Sequence, residues 1–271
     1  MEIREMQTLE DFQQCVEMQK EIWGFDDPYD AVPLPLLLVS QRQGGVVLGA
    51  FEGKRMIGFV YSIPGFHHGH KLQWSHMLAV RPEYRNTDIG YQLKIDQYKM
   101  SQRTGYEYIE WTYDPLESKN AYFNLNKLGC IAREYEVNIY GETSSPLHKG
   151  TPTDRLIAHW PIPPLHKQTY DSKNLPTPPA LVTRTKFNDG LLFIEEINLN
   201  SNEDWLFVEI PTDIQALKSK FPDAALQWRL RTREIFLHYL ENGYETYSFV
   251  FHRKDAQSPS DQSFYVLKRS R

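Results

Sequence analysis

The chain has only two cysteines, Cys15 and Cys130, among its 271 residues. That number excludes a disulfide framework and a thiolate metal cluster. Long apolar runs are also missing. Leu34-Pro35-Leu36-Leu37-Leu38-Val39 is among the longest and carries a proline, far short of the roughly 20 apolar residues a membrane-spanning helix needs. The opening residues, Met1-Glu2-Ile3-Arg4-Glu5, lack the apolar core of a signal peptide. No basic block occurs, and the net charge of −5, with a pI of about 6.0, argues against nucleic acid or an anionic membrane as partner. A cytoplasmic protein is the simplest expectation, with its oligomeric state left open. What is plentiful is aromatic: 16 tyrosines and an aromatic share of 13 % predict well-filled pockets or broad apolar faces.

Residues 2–7 read as a strand. Phe12, Cys15, Val16, Gln19, Ile22 and Trp23 then recur at helical spacing up to Gly24. Residues 26–30 read as a loop, and 36–40 as a helix entered through Pro33 and Pro35. Residues 46–51 and 57–63 are expected strands around a Glu52-Gly53-Lys54 turn. Residues 64–70 are an expected loop and 72–80 a third strand. A helix from Ile89 to about Thr104, a strand over 106–113, a short helix from Ser118, and strands over 130–140 and 156–160 follow.

The most informative stretch is Leu78-Ala79-Val80-Arg81-Pro82-Glu83-Tyr84-Arg85, followed by Asn86-Thr87-Asp88-Ile89-Gly90-Tyr91. It reads as a strand, a turn and a helix start. Pro82 has no N–H to give a sheet ladder, and Thr87 or Asp88 can cap the helix. Such a junction offers free N–H groups and a positive dipole end, which suit a phosphate.

Six prolines between Pro161 and Pro179 mark residues 161–180 as a semi-extended linker. Beyond it, 204–210 reads as a strand, and Ala225, Trp228, Ile235, Phe236, Tyr239 and Leu240 form a helical stripe. Gly243 ends that helix, and strands over 244–251 and 264–267 follow. Phe123-x-Leu125-x-x-Leu128-Gly129 and Phe236-x-x-Tyr239-Leu240-x-x-Gly243 are a weak internal echo. Chance and a partial second copy of one half-domain both account for it.

The strand–turn–helix stretch resembles the acyl-CoA-binding segment of the GNAT superfamily of N-acetyltransferases, where the turn reads Arg/Gln-x-x-Gly-x-Gly/Ala. Here it reads Arg85-x-x-Asp88-x-Gly90, without the first glycine. Trp111-Thr112-Tyr113-Asp114-Pro115-Leu116, Asn120-Ala121-Tyr122-Phe123-Asn124 and Gly150-Thr151-Pro152-Thr153-Asp154-Arg155-Leu156 resemble a subgroup of predicted acetyltransferases with an extra C-terminal region. The resemblance implies an α/β fold with a mixed, mostly antiparallel sheet flanked by helices. It covers a GNAT-like acyl-CoA-binding domain over 1–160, with the linker 161–180 and a smaller α/β region over 181–271 after it, a candidate partial GNAT-like half.

It also implies acyl transfer from acetyl-CoA or another acyl-CoA, such as succinyl-CoA, to the amine of a small molecule such as an amino acid. The acyl-CoA is then a co-substrate and no metal is required. Leu78, Ala79 and Val80 would hold the pantetheine and thioester through their main chain. Arg85, Asn86, Thr87, Asp88, Ile89, Gly90 and Tyr91 would surround the diphosphate. The family's usual acid, a tyrosine four residues before the glycine, falls on Leu125, so Tyr122 one turn earlier is the candidate, with a core tyrosine as the alternative. Glu110 and His76 are candidate bases, each equally open to a structural role. Asn120 and Asn124, spaced by four, share a helix face and are either cofactor ligands or surface residues. Arg155 is either a bidentate contact for an acidic or amino-acid substrate or part of a surface turn with Asp154.

His67-His68-Gly69-His70 has loose metal-like spacing but no nearby cysteine, and a hairpin rim explains it as well. Trp23 and Trp111 read as core or pocket wall. Asp88 is the difficulty. A carboxylate facing a diphosphate at about 4–6 Å would cost on the order of 1 kcal/mol, whereas one turned away to cap the helix would cost little. Two functions are therefore carried forward: an N-acyltransferase, and a catalytically weakened module of the same fold that senses acyl-CoA or a partner.

Overall fold

The computed structural model describes residues 1–24, 30–67, 69–141, 151–164, 180–253 and 261–270. The expected loop at 26–30 falls almost wholly outside these residues, as do His68 and most of the proline-rich segment. The chain divides into two compact units. The first holds Met1–Trp111 and Trp160–Pro164; the second holds Thr112–Gly141, residues 151–159 and the described residues from 180 onward.

In the first unit the order is β1 (Glu2–Glu5), α1 (Leu9–Trp23), α2 (Leu34–Arg42), β2 (Val47–Glu52), β3 (Arg55–His67), β4 (His70–Val80), α3 (Ile89–Arg103) and β5 (Tyr108–Tyr113), whose last two residues belong to the second unit. Strands lie in the order β1-β2-β3-β4-β5. All neighbours are antiparallel except β4 and β5, which run parallel. Helix α1 starts on a capping box between Thr8 and Asp11 and ends at Gly24 in the left-handed conformation.

The central strands are buried on both faces, so their sequence is apolar almost without alternation. Val47, Phe51, Phe59 and Tyr61 pack with Phe12, Met18 and Leu37 from α1 and α2. Val46, Leu48, Ala50, Ile57 and Val60 pack with Ile89 and Leu93 of α3. Burying Ile89 and Leu93 contributes roughly 1.5–3 kcal/mol each and pins the start of α3 to the sheet. Gly58 permits that approach: a Cβ there would lie 3.2 Å from both Ile89 Cγ2 and Leu93 Cδ1.

Residues 64–67 and His70 of the expected loop are instead strand, because β3 and β4 stay paired from Ser62 opposite Ser75 to His67 opposite His70. Pro64 is tolerated there because β2 pairs with β3 only as far as Tyr61, which leaves Pro64 on an edge.

The second unit continues with α4 (Ser118–Tyr122), a π-helical turn (Phe123–Lys127), β6 (Ile131–Glu136), β7 (Arg155–Pro161, whose last two residues belong to the first unit), β8 (Thr183–Asn188), β9 (Leu191–Ile197), β10 (Trp205–Ile210), α5 (Ile214–Lys220), α6 (Pro222–Glu241), β11 (Tyr244–His252) and β12 (Gln262–Arg269). Its strands lie in the order β7-β6-β11-β12-β10, all antiparallel, beside a separate β8–β9 hairpin.

The strand expected over 130–140 is shorter than its apolar pattern, because Asn138 takes a positive φ of 50° and turns the chain. The internal echo has a structural counterpart. In each stretch a helical segment is followed two residues later by a glycine of positive φ, Gly129 or Gly243, and then by an antiparallel pair, β6–β7 or β11–β12. The mixed, mostly antiparallel sheet flanked by helices is the fold class expected from the sequence.

Candidate functional site

Strands β4 and β5 pair only over Leu72–Trp74 against Tyr108–Glu110. On its other side β4 carries a bulge. Ser75 faces Ser62 and Met77 faces Tyr61, so His76 is left without a partner on β3. From Met77 to Val80 the strand still pairs with β3, but among the described residues no strand pairs with its opposite edge. Alternate N–H and C=O groups of that edge are therefore open to a ligand.

The edge runs straight into the turn. A short 3₁₀ segment, Pro82–Tyr84, is tied by Tyr84 Oη to Glu52 at 2.7 Å and by Thr87 Oγ1 to the Tyr84 carbonyl at 2.6 Å. Arg85 is exposed, and its Nε lies 3.4 Å from the Val80 carbonyl oxygen. Asn86 takes the left-handed conformation at φ 64°, one that asparagine tolerates better than most residues.

Of the two expected caps, Asp88 stands at the N-cap of α3 but its side chain makes no capping hydrogen bond, whereas Thr87 Oγ1 accepts from Ile89 N–H at 3.5 Å. The Asp88 φ of −83° and ψ of 5° are open to any residue, so the absent glycine costs the backbone nothing. Gly90 has space beside it: an added Cβ would meet only Val80 Cγ2, at 3.7 Å. The first-turn N–H groups of α3 have no intrahelical acceptor. Arg85, Asn86, Thr87, Asp88, Ile89, Gly90 and Tyr91 are thus gathered beside Leu78, Ala79 and Val80.

The two candidate bases stand where β4 and β5 part. Glu110 is buried and is the last β5 residue paired with β4, opposite Trp74. His76 keeps solvent access, with its ring edge-on to Tyr61 at 5.9 Å. Desolvation by the dense protein around it holds its pKa below the ordinary 6.5. That shift favours the neutral imidazole, the form a base requires.

No protein-family model and no curated protein matches this chain. Solved structures similar to it include an aminoglycoside 6'-N-acetyltransferase complexed with coenzyme A. That pair is 16 % identical over 61 % of this chain and 99 % of the other, with a TM-score of 0.48. The ribosomal-protein-S18-alanine N-acetyltransferase from Escherichia coli gives 15 % identity over 62 % and 98 %, with a TM-score of 0.47. A GNAT-family acetyltransferase from Streptococcus pneumoniae gives 14 % over 58 % and 96 %, with a TM-score of 0.46.

The remaining expected residues belong to the second unit. Tyr122 ends α4 and is 41 % exposed, so it is not a core tyrosine. Asn120 is exposed whereas Asn124 is buried and engaged, because the helix widens into a π turn after Tyr122. The common face expected from their spacing is not kept. Leu125, where the family's acid would fall, is a buried core residue. Asp154 and Arg155 are buried at the start of β7, which overturns the surface-turn alternative. Asp154 accepts two bonds from Arg233, at 2.8 and 2.9 Å, and one from Tyr135 Oη at 2.8 Å.

Sequence reasoning missed Arg229, Asp114 and Lys94. Arg229 is 3 % exposed and bonds Asp114 at 2.5 Å. Its signal was visible: it lies four residues from Ala225 and three from Thr232, inside the buried stripe of α6. Lys94, 2 % exposed on α3, donates to Ser75 Oγ at 3.1 Å and sits 3.6 Å from the Trp111 ring centroid. A surface hollow of about 480 Å³ between β9 and α6, lined by Ile194, Leu230 and Glu234 among others, holds none of the expected residues. Among the described residues no cluster of metal-ligating side chains occurs, and no helix is long and apolar enough to cross a membrane.

Proposed function

We propose that the first unit binds an acyl-CoA and that the protein transfers its acyl group to the amine of a small molecule, an amino acid being the favoured class. One observation carries this reading: the unpaired edge of Met77–Val80 leads directly into a turn that combines Arg85, a left-handed Asn86 and the open N-terminus of α3. Main-chain groups of Leu78 and Val80 suit the amides of pantetheine, as an added strand would. The Arg85 guanidinium and the first-turn N–H groups suit a diphosphate. Gly90 leaves that approach clear.

The thioester supplies an activated acyl carbon and a sulfur leaving group. Neutral His76 or Glu110 takes a proton from the attacking amine as the new C–N bond forms. The C–S bond breaks, and the departing sulfur takes up a proton, so the exchange balances. Open N–H groups on the β4 edge stabilise the charge that develops on the carbonyl oxygen. All of these residues come from the first unit.

The test is calorimetric titration with acetyl-CoA and succinyl-CoA, followed by a screen of amines for free-thiol release. Micromolar binding with amine-dependent thiol release supports the transferase. Binding without release under any amine supports the weakened module, a reading favoured by the buried leucine at position 125. No binding of either thioester sinks both.

A further inference from the structure

Strands β4 and β5 part although their register would let them go on. The last paired residues are Trp74 and Glu110, so Ser75 and Trp111 are next in line. Neighbouring parallel strands gain hydrogen bonds by continuing to pair. Here they stop, and among the described residues no other strand takes up the edge of β4 that is left open. Something at the apex of this fork holds the strands apart.

One side chain touches the first unpaired residue of both strands. Lys94 Nζ donates to Ser75 Oγ at 3.1 Å and lies 3.6 Å from the centroid of the Trp111 ring. Trp160, edge-on to Trp111 at 6.0 Å, brings a second ring to 5.8 Å from the ammonium. Gln97, one turn further along α3, donates to the same Ser75 Oγ at 3.0 Å. Lys94, Gln97, Ser75 and Trp111 are all buried, and all belong to the first unit. A buried ammonium is costly unless acceptors and ring faces meet it. The Ser75 hydroxyl and the Trp111 ring are two of its partners, and each is held in place by meeting it.

The chain carries this placement to the reacting groups. His76, which the bulge leaves without a partner on β3, directly follows Ser75. Glu110 directly precedes Trp111. Both candidate bases are therefore next neighbours of a residue that Lys94 holds. The Met77–Val80 edge begins one residue beyond His76.

We propose that Lys94 is a positioning residue. Its ammonium, seated at the apex of the fork, keeps β4 and β5 from pairing further, and so keeps the Met77–Val80 edge open and sets His76 against Glu110. An apolar side chain would be buried there at less cost, but it would hold neither the hydroxyl nor the ring face. The consequence for acyl-CoA rests on the transferase reading above; the state of the fork does not.

Hydrogen exchange of the full chain without ligand, followed by mass spectrometry, tests the fork. Lys94→Met keeps most of the stem and loses the ammonium. Amides in 75–78 and 111–113 are expected to exchange at least about fivefold more slowly, as pairing runs on past Trp74 and Glu110. Loss of a packing contact alone would speed exchange instead. Ser75→Ala removes the same bond from the strand side, should slow the same two stretches, and serves if Lys94→Met does not fold. Unchanged or faster exchange there overturns the proposal. Calorimetry gives a second readout: acetyl-CoA affinity in Lys94→Met should fall at least about tenfold, and affinity equal to that of the wild type overturns the positioning role. A wild-type chain that binds neither acetyl-CoA nor succinyl-CoA sinks the transferase alone, because exchange still decides what Lys94 does.

Discussion

Arg85 folds back onto the strand it follows, its Nε 3.4 Å from the carbonyl oxygen of Val80. The arginine that would meet a diphosphate is thereby tethered, loosely, to the strand that would hold the pantetheine. The contact is long and exposed, so the guanidinium can leave it for a better acceptor at little cost. Arg85→Ala removes charge-assisted bonds of about 1.5–3 kcal/mol. Calorimetry is expected to show acetyl-CoA affinity falling roughly 10- to 100-fold, with the thermal midpoint nearly unmoved.

Asp88 and Gly90 separate backbone from charge in the same turn. Asp88 makes no capping bond and its dihedral angles suit any residue. Asp88→Asn should therefore leave stability unchanged and tighten acyl-CoA binding severalfold, by roughly 1 kcal/mol of relieved repulsion. Gly90→Ala adds a methyl that meets only Val80 Cγ2, at 3.7 Å. It should stabilise α3 by up to about 1 kcal/mol while weakening binding. Urea denaturation and titration of the same samples check both. Weaker binding in Asp88→Asn would mean that the carboxylate helps rather than hinders.

Much of the first unit was legible because its signals are local. Gly24 and Gly105 mark helix ends, Pro33 marks a helix start, and the doubly buried strands are apolar throughout. Elements whose shape depends on distant partners were not legible. Pro64 reads as a loop residue until β4 is seen to pair beside it. The β8–β9 hairpin was only half legible: Leu191-Leu192-Phe193-Ile194 of β9 is a half-buried apolar run, but β8, exposed at four of its six residues, carries no matching pattern. Asn120 and Asn124 part company because a π turn, which no spacing rule anticipates, follows Tyr122. The buried charges around Asp114 were half visible: Arg155 stood out in sequence, but Arg229 and Asp114 lie 115 positions apart and meet only in the fold.

Asp11 ties β1 to α1 and makes stability depend on acid pH. It accepts from Arg4 at 2.8 and 3.1 Å and from the N–H groups of Gln7 and Thr8. The Arg4 hydrogen bond, acting against burial and helped by those amides, lowers its pKa from 3.8 to about 2. The folded state thus binds its proton later than the unfolded state does. The stabilisation is complete above pH about 4 and is lost as pH falls toward 2, and it amounts to roughly 2 kcal/mol. Asp11→Asn should lower stability by about that much at pH 7 and by much less at pH 2. Urea melts across this range read the difference. A constant gap would show that Asp11 acts through shape rather than charge.

His76 makes the same demand on pH in a higher range, and it links the fold to the proposed chemistry. Its folded pKa lies below 6.5 because desolvation disfavours the imidazolium. Between pH 6.5 and that lower value the unfolded state binds the proton and the folded state does not. Stability therefore declines as pH falls through this window. In catalysis the same shift favours the neutral imidazole, so the acid limb of the kcat/KM profile is expected below pH 6.5 rather than at it. His76→Gln should remove that limb and lower kcat by about 10²-fold or more. Acetyl-CoA affinity should stay within about twofold, since pantetheine is held by main-chain groups of Leu78 and Val80. If the limb survives in His76→Gln and vanishes in Glu110→Gln, the base is Glu110, the residue at which β5 leaves β4.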